Sequence, residues 1–145
     1  LLPFYSKVKE KQAQAIISKF VTSVRKGKAN EFMQQLQSLM AGTPYELIKD
    51  LENHYQNVIY IITKLMGLYV QAEYRTINGR IDLLIGTKEF LYIIELKFNG
   101  TAAEAMEQIN NKEYSLPFEQ QNRIIIKIGA KVSRETRNIE NWIVE

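Results

Sequence analysis

Apolar positions follow two rhythms along the chain, and the switch between them divides it. Up to residue 67 the spacing is three and four. Val8, Ala15, Ile16, Phe20, Val21 and Val24 predict a polar helix over 6–25. Phe32, Met33, Leu36, Leu39 and Met40 predict a second over 29–41. Leu47, Ile48, Leu51, Tyr55, Val58, Ile59, Ile62, Leu65 and Met66 form the broadest apolar stripe and predict a third over 45–67. Lys26-Gly27-Lys28, Gly42-Thr43-Pro44 and Gly67 supply the breaks.

From residue 68 the period shortens towards two. LYVQAEYRTI (68–77) reads as a strand, Asn78-Gly79 as a hairpin turn, and 80–86 as the returning strand. Gly86-Thr87-Lys88-Glu89 turns the chain into a third strand over 90–98. After Asn99-Gly100, Thr101 and Glu104 have the capping-box spacing, so a helix is expected from there to about Tyr114, with Pro117 blocking its extension. RIIIKIG (123–129) predicts a strand buried on both faces, and IENWIV (139–144) a last strand beyond a polar loop. A strand reached through a helix is expected to run parallel to its neighbour. The order therefore predicts an α/β fold with a mixed central sheet flanked by helices.

Three charges contradict the pattern of the central hairpin. Asp82 lies between Ile81 and Leu83, and Glu95 and Lys97 lie among Ile93, Ile94, Leu96 and Phe98. Charges in a buried strand are costly unless paired or bound to a metal. Residues two apart share a strand face, so Glu95 and Lys97 point the same way, and Asp82 faces away from Ile81, Leu83 and Ile85. If the register brings Asp82 beside Glu95, two carboxylates and a lysine converge. That is equipment for a hard-oxygen Mg²⁺ site and for metal-assisted phosphodiester hydrolysis. The same three charges also suit a strand-end salt bridge, and placement alone leaves both readings open.

Composition narrows the chemistry. The 145 residues suffice for one domain with a real core. Without cysteine and with His54 as the single histidine, disulfides and thiolate sites are excluded and zinc is disfavoured, which leaves oxygen ligands for Mg²⁺, Mn²⁺ or Ca²⁺. The net charge of +3 divides into +5 over residues 1–40 and −2 over the remainder, so the part with the odd charges has no strongly basic footprint. No apolar run is long enough for a membrane span, and a cytoplasmic location is the default expectation. The chain starts at Leu1 without methionine, which fits a processed product or a fragment.

Asp82, a gap of twelve, then Glu95-Leu96-Lys97 on a hairpin flanked by helices resembles the D…ExK signature of the PD-(D/E)XK nuclease superfamily. GRIDLLI, YIIELKFNGTAAEAMEQI and SRETRNIENW resemble, more narrowly, the domain of this type at the C-terminus of bacterial AAA-ATPase-like proteins. The resemblance implies a restriction-endonuclease-like αβββαβ core over 44–145, with 1–43 as a helical linker to an ATPase part. No GxxxxGK[ST] stretch occurs in this chain.

It also implies that Asp82 and Glu95 bind Mg²⁺ or Mn²⁺, that Lys97 is the catalytic lysine, and that nucleic acid, with DNA expected, is cut. A parent AAA-ATPase-like module is the implied partner, and a homodimer is compatible with the family. Superfamily members often add a glutamate from the first core helix. Glu52 is the candidate for this third metal-binding and catalytic acid, with a solvated helix flank as the competing reading, and Glu73 is a second candidate, with an exposed cross-strand partner as its favoured reading. Gln108 is expected near the substrate phosphate, whereas Tyr114, six residues on, is assigned to packing. His54 and Trp142 are assigned to a helix flank and to packing, and Arg134 and Arg137 to a solvated loop, with contact to phosphates as the competing reading. The alternative function is a catalytically silent module of the same fold that binds nucleic acid or a partner, or that regulates or assembles the ATPase.

Overall fold

The computed structural model describes residues 15, 17–41, 53–56 and 67–145. A five-stranded sheet in the order β1-β2-β3-β4-β5 forms its centre. The strands are β1 (Tyr69–Thr76), β2 (Gly79–Gly86), β3 (Phe90–Lys97), β4 (Ile124–Ser133) and β5 (Asn138–Val144). β3 and β4 run parallel and every other neighbouring pair antiparallel, so the sheet is mixed. The helices are α1 (17–25), α2 (Ala29–Ala41) and α3 (Ala102–Asn111), with a 3-10 turn at Leu116–Phe118. Residues 53–56 are also helical and Gly67 lies in a turn; the rest of the helix expected over 45–67, Glu52 included, lies outside the described residues. No helix among the described residues is long and apolar enough to cross a membrane.

The sheet separates two cores because side chains alternate across it. One face carries Leu83, Ile85, Tyr92, Ile94, Leu96, Ile128, Ala130 and Val132, which pack under Phe20, Val21 and Val24 of α1 and Phe32, Met33, Leu36 and Met40 of α2. Rings join these layers: Phe20 to Phe32 at 4.7 Å between centroids, and Phe32 to Tyr92 at 5.8 Å. The Tyr92 hydroxyl donates to the Val24 carbonyl at 2.6 Å, and burial pushes its pKa up to about 12. α1 and α2 thus share the core of the sheet. The boundary expected at 43/44 lies outside the described residues.

The smaller core lies under α3. Ile81, Leu84, Leu91 and Ile93 meet Met106, Ile109, Tyr114 and Phe118. Thr101 caps α3, its hydroxyl oxygen accepting the Glu104 N–H at 3.0 Å, as the capping-box spacing predicts. The far end closes in a Schellman arrangement: Tyr114 N–H donates to the Ile109 carbonyl at 3.1 Å and Glu113 N–H to the Asn110 carbonyl at 3.2 Å. Glu113 holds the left-handed position, φ 52°, that glycine usually takes. This reversal folds Tyr114 back over α3.

Several local expectations are corrected. The two turn residues between β1 and β2 are Ile77 and Asn78, and Gly79 already pairs with Thr76. A Cβ on Gly79 would sit 2.9 Å from the Tyr114 hydroxyl oxygen, so close approach accounts for this glycine. Ile81 was expected to share a face with Leu83 and Ile85, but it joins Leu84 in the α3 core. The alternation breaks because both ladders lapse at Asp82. Opposite it on β1, Glu73 has φ 54°, and on the β3 side the pairing resumes only at Leu83↔Ile94. β4 is longer than 123–129, and its start is open rather than buried on both faces, with Ile124 61% exposed.

Candidate active site

β2 is antiparallel to β3 and β4 is parallel to it, so the start of β2 and the ends of β3 and β4 meet at one end of the sheet. A cleft of about 440 Å³ opens there. Its polar lining includes Asp82 from β2, Glu95 and Lys97 from β3, and Glu104 and Gln108 from α3. Arg80 and Arg134 line it as well. Three of the expected catalytic residues on the hairpin and Gln108 on the helix are therefore brought together. Glu104 and Gln108 are four apart and so share a helix face.

The register Leu83↔Ile94, continued by one residue, sets Asp82 across from Glu95. At that step the ladder is replaced by side-chain bonds. The Asp82 carboxylate accepts the Leu96 N–H at 2.9 Å, and Glu95 Oε2 accepts the Asp82 N–H at 3.4 Å. Both acids are nearly closed off, Asp82 7% and Glu95 3% exposed. Burial first, and then the charge of Asp82, push the Glu95 carboxyl up to about 8, although the Asp82 N–H and Lys97 oppose the shift.

Gln108 joins the acid to the base. Its Nε2 donates to Glu95 Oε1 at 2.8 Å and to the Tyr114 hydroxyl at 3.2 Å, while its Oε1 accepts from Lys97 Nζ. An amide suits this position because it meets a carboxylate with a donor and an ammonium with an acceptor. The Tyr114 hydroxyl also accepts the Arg80 N–H at 3.3 Å. Tyr114 is thus part of the polar network as well as of the core, which corrects its assignment to packing alone. The signal lay in the residues between: a six-residue step reaches back only if the chain reverses at Glu113. Glu73 pairs with Arg80 at 3.4 Å on an exposed surface and does not line the cleft, and Glu104 does. Trp142 Nε1 donates to Asn30 Oδ1 at 2.9 Å.

The chemistry of the donors tests whether they suit a metal. Two buried carboxyl groups share a hydrogen bond, and one is held protonated far above its usual range. Ionising both leaves more negative charge than Lys97 offsets, and hard oxygen donors of this kind fit a divalent cation. Among the described residues no three Asp, Glu or His side chains gather into a metal-holding group. The expected third acid, Glu52, lies outside them.

Proton competition at Glu95 gives a pH dependence. The folded state keeps a proton that the unfolded chain releases at an ordinary carboxyl pKa, so this group's contribution to stability falls as pH rises from about 4.5 to about 8. A divalent cation must displace that proton. Its affinity should climb by up to about tenfold per pH unit below pH 8 and then level. Calorimetric Mn²⁺ titrations at several pH values check this; a flat affinity between pH 6 and about 8 would contradict the raised Glu95.

The comparisons agree with this architecture. A curated relative, described as "Uncharacterized protein in vnfD 5'region" from Azotobacter chroococcum mcd 1, is 29% identical over 96 residues, or 65% of this chain. The matched region spans 19% of that relative's length. The family model of the PD-(D/E)XK nuclease superfamily matches residues 50–142, which takes in the whole hairpin, α3, all of β4 and most of β5. With that match over most of the chain and the mixed sheet beneath it, the chain belongs to the PD-(D/E)XK nuclease superfamily.

Proposed function

We propose that this domain hydrolyses phosphodiester bonds of nucleic acid, with DNA as the expected substrate and Mg²⁺ or Mn²⁺ as the cation. The observation that carries the reading is the convergence of Asp82, Glu95, Lys97 and Gln108 in one cleft at the sheet end. Asp82 and Glu95 would hold the cation, joined by Glu52 if the helix expected over 45–67 turns it inward. A bound divalent cation supplies Lewis-acid polarisation of the phosphoryl oxygen and lowers the pKa of a bound water. Lys97, directed by the Gln108 carbonyl, stands where it can orient the attacking water and offset charge developing on the phosphate. Gln108 in turn fixes the Glu95 carboxylate, and Tyr114 anchors Gln108 from behind.

A neighbouring AAA-ATPase-like module and a homodimer belong to the same proposal. The support for the former is the resemblance of GRIDLLI, YIIELKFNGTAAEAMEQI and SRETRNIENW to domains so placed.

The test is a cleavage panel of supercoiled plasmid, linear duplex, single-stranded DNA and RNA, with Mn²⁺ or Mg²⁺ and with EDTA. Cleavage of at least one substrate that needs the cation and stops with EDTA is expected. Mn²⁺ binding with no cleavage of any substrate would overturn the catalytic reading in favour of a silent module of this fold.

A further inference from the structure

The loop at 134–137, between β4 and β5, was assigned to solvent, but Arg134 is held in place. Its Nε donates to Asn99 Oδ1 at 2.9 Å, and its guanidinium carbon lies 5.9 Å from the centre of the Phe98 ring. Phe98 and Asn99 directly follow the strand that carries Glu95 and Lys97, so the platform is continuous with the catalytic strand. A hydrogen bond along the guanidinium edge and a ring against its face remove much of the rotamer freedom an exposed arginine would lose on binding.

What remains of the guanidinium is unused. Among the described residues neither Nη group has a protein partner, and the side chain lines the cleft. The other two cations of the cleft are engaged, Arg80 with Glu73 and Lys97 with Gln108. Arg134 lines the same cleft as Asp82, Glu95, Lys97 and Gln108 but makes no hydrogen bond to any of them. It is attached one strand over, just past the end of β4, and adjacent strands lie about 4.8 Å apart.

We propose that Arg134 is an anchor for a phosphate next to the scissile one on the bound strand. Two parallel Nη–H donors match two phosphate oxygens, a geometry lysine does not reproduce. The inference rests on the nuclease reading for its scissile phosphate, but its binding arm is independent of catalysis.

The test uses the full chain with Ca²⁺ in place of the catalytic ion. A fluorescein-labelled DNA of about 20 nucleotides, single-stranded and as a duplex, is long enough to fill such a groove. Anisotropy is followed between about 50 and 200 mM salt. Arg134→Gln should weaken binding of at least one form by about tenfold and lower the salt slope by about one. Arg134→Lys should restore the slope but only part of the affinity.

With Mn²⁺, Arg134→Gln should raise KM for the oligonucleotide with kcat kept. It should leave hydrolysis of bis(4-nitrophenyl) phosphate, which has no neighbouring phosphate, unchanged. Wild-type affinity and slope in Arg134→Gln, no oligonucleotide binding by the wild type, or a parallel loss on bis(4-nitrophenyl) phosphate would each overturn the proposal. Oligonucleotide binding that depends on Arg134 without cleavage of any substrate would keep the anchor and remove the nuclease reading instead.

Discussion

Lys97→Ala is expected to lower cation-dependent cleavage by about two to four orders of magnitude, the range for losing a positioned proton-transfer group or a charge aimed at the transition state. The protein should stay folded. Lys97 is half-buried at the mouth of a wet cleft, so the Gln108 carbonyl it leaves can turn to water. Cation binding should survive as well, because removing an ammonium takes positive charge away from the place proposed for the cation. Calorimetry with Mn²⁺ near pH 8, where Glu95 is deprotonating, should therefore show binding in the variant while cleavage is lost.

Asp82→Asn makes the complementary separation. Its amide oxygen still accepts the Leu96 N–H and so preserves the hairpin's closure, but it removes one ligand charge and the repulsion that helps keep Glu95 protonated. This variant should lose cleavage and cation binding together and melt no lower than the wild type. Cleavage retained in both variants would remove the assignment of these residues.

The hairpin was legible because two simple rules meet in it. Period-two spacing puts Glu95 and Lys97 on one strand face, and a short turn fixes which residues lie opposite, which brings Asp82 to Glu95. A one-residue slip would have turned the carboxylates to opposite faces. Residues whose position depends on a distant contact were not legible. Gly79 looks like a turn glycine by its neighbour Asn78, but the Tyr114 hydroxyl claims the space of its side chain. Tyr114 looks misplaced on a helical wheel because the wheel does not include the left-handed residue at 113. Arg134 reads as one more loop cation until the Phe98–Asn99 platform is seen beneath it. The distortion that frees Asp82 from both ladders has no sequence mark either: Glu73 is an ordinary strand-edge residue by pattern and an outlier by φ.

The depth of α3 is the last such feature, and it carries the other large prediction. Gly129 is the partner of Glu95 across the parallel ladder. A Cβ there would lie 2.7 Å from the Met106 nitrogen, 2.8 Å from the Ala102 carbonyl oxygen and 3.1 Å from the Ala105 Cβ. Two of these neighbours are backbone, so Gly129→Ala cannot be absorbed by a rotamer change, and trimming Ala105 to glycine would not relieve it. α3 must lift off the sheet.

Overpacking of this kind costs about 1–3 kcal/mol, which lowers the melting temperature by several degrees. The larger effect should be on activity, because the same helix delivers Gln108 to Glu95 and Lys97. A displacement of about 1 Å at a reacting centre can cost about a hundredfold in rate. Gly129→Ala should therefore cut cleavage about a hundredfold at temperatures where circular dichroism shows it folded. A double-mutant cycle shows the route: if the glycine acts through the helix, its effect on rate should largely vanish in a Gln108→Ala background. Additive losses would mean instead that Gly129 matters for stability alone and that the depth of α3 does not set the geometry of the site.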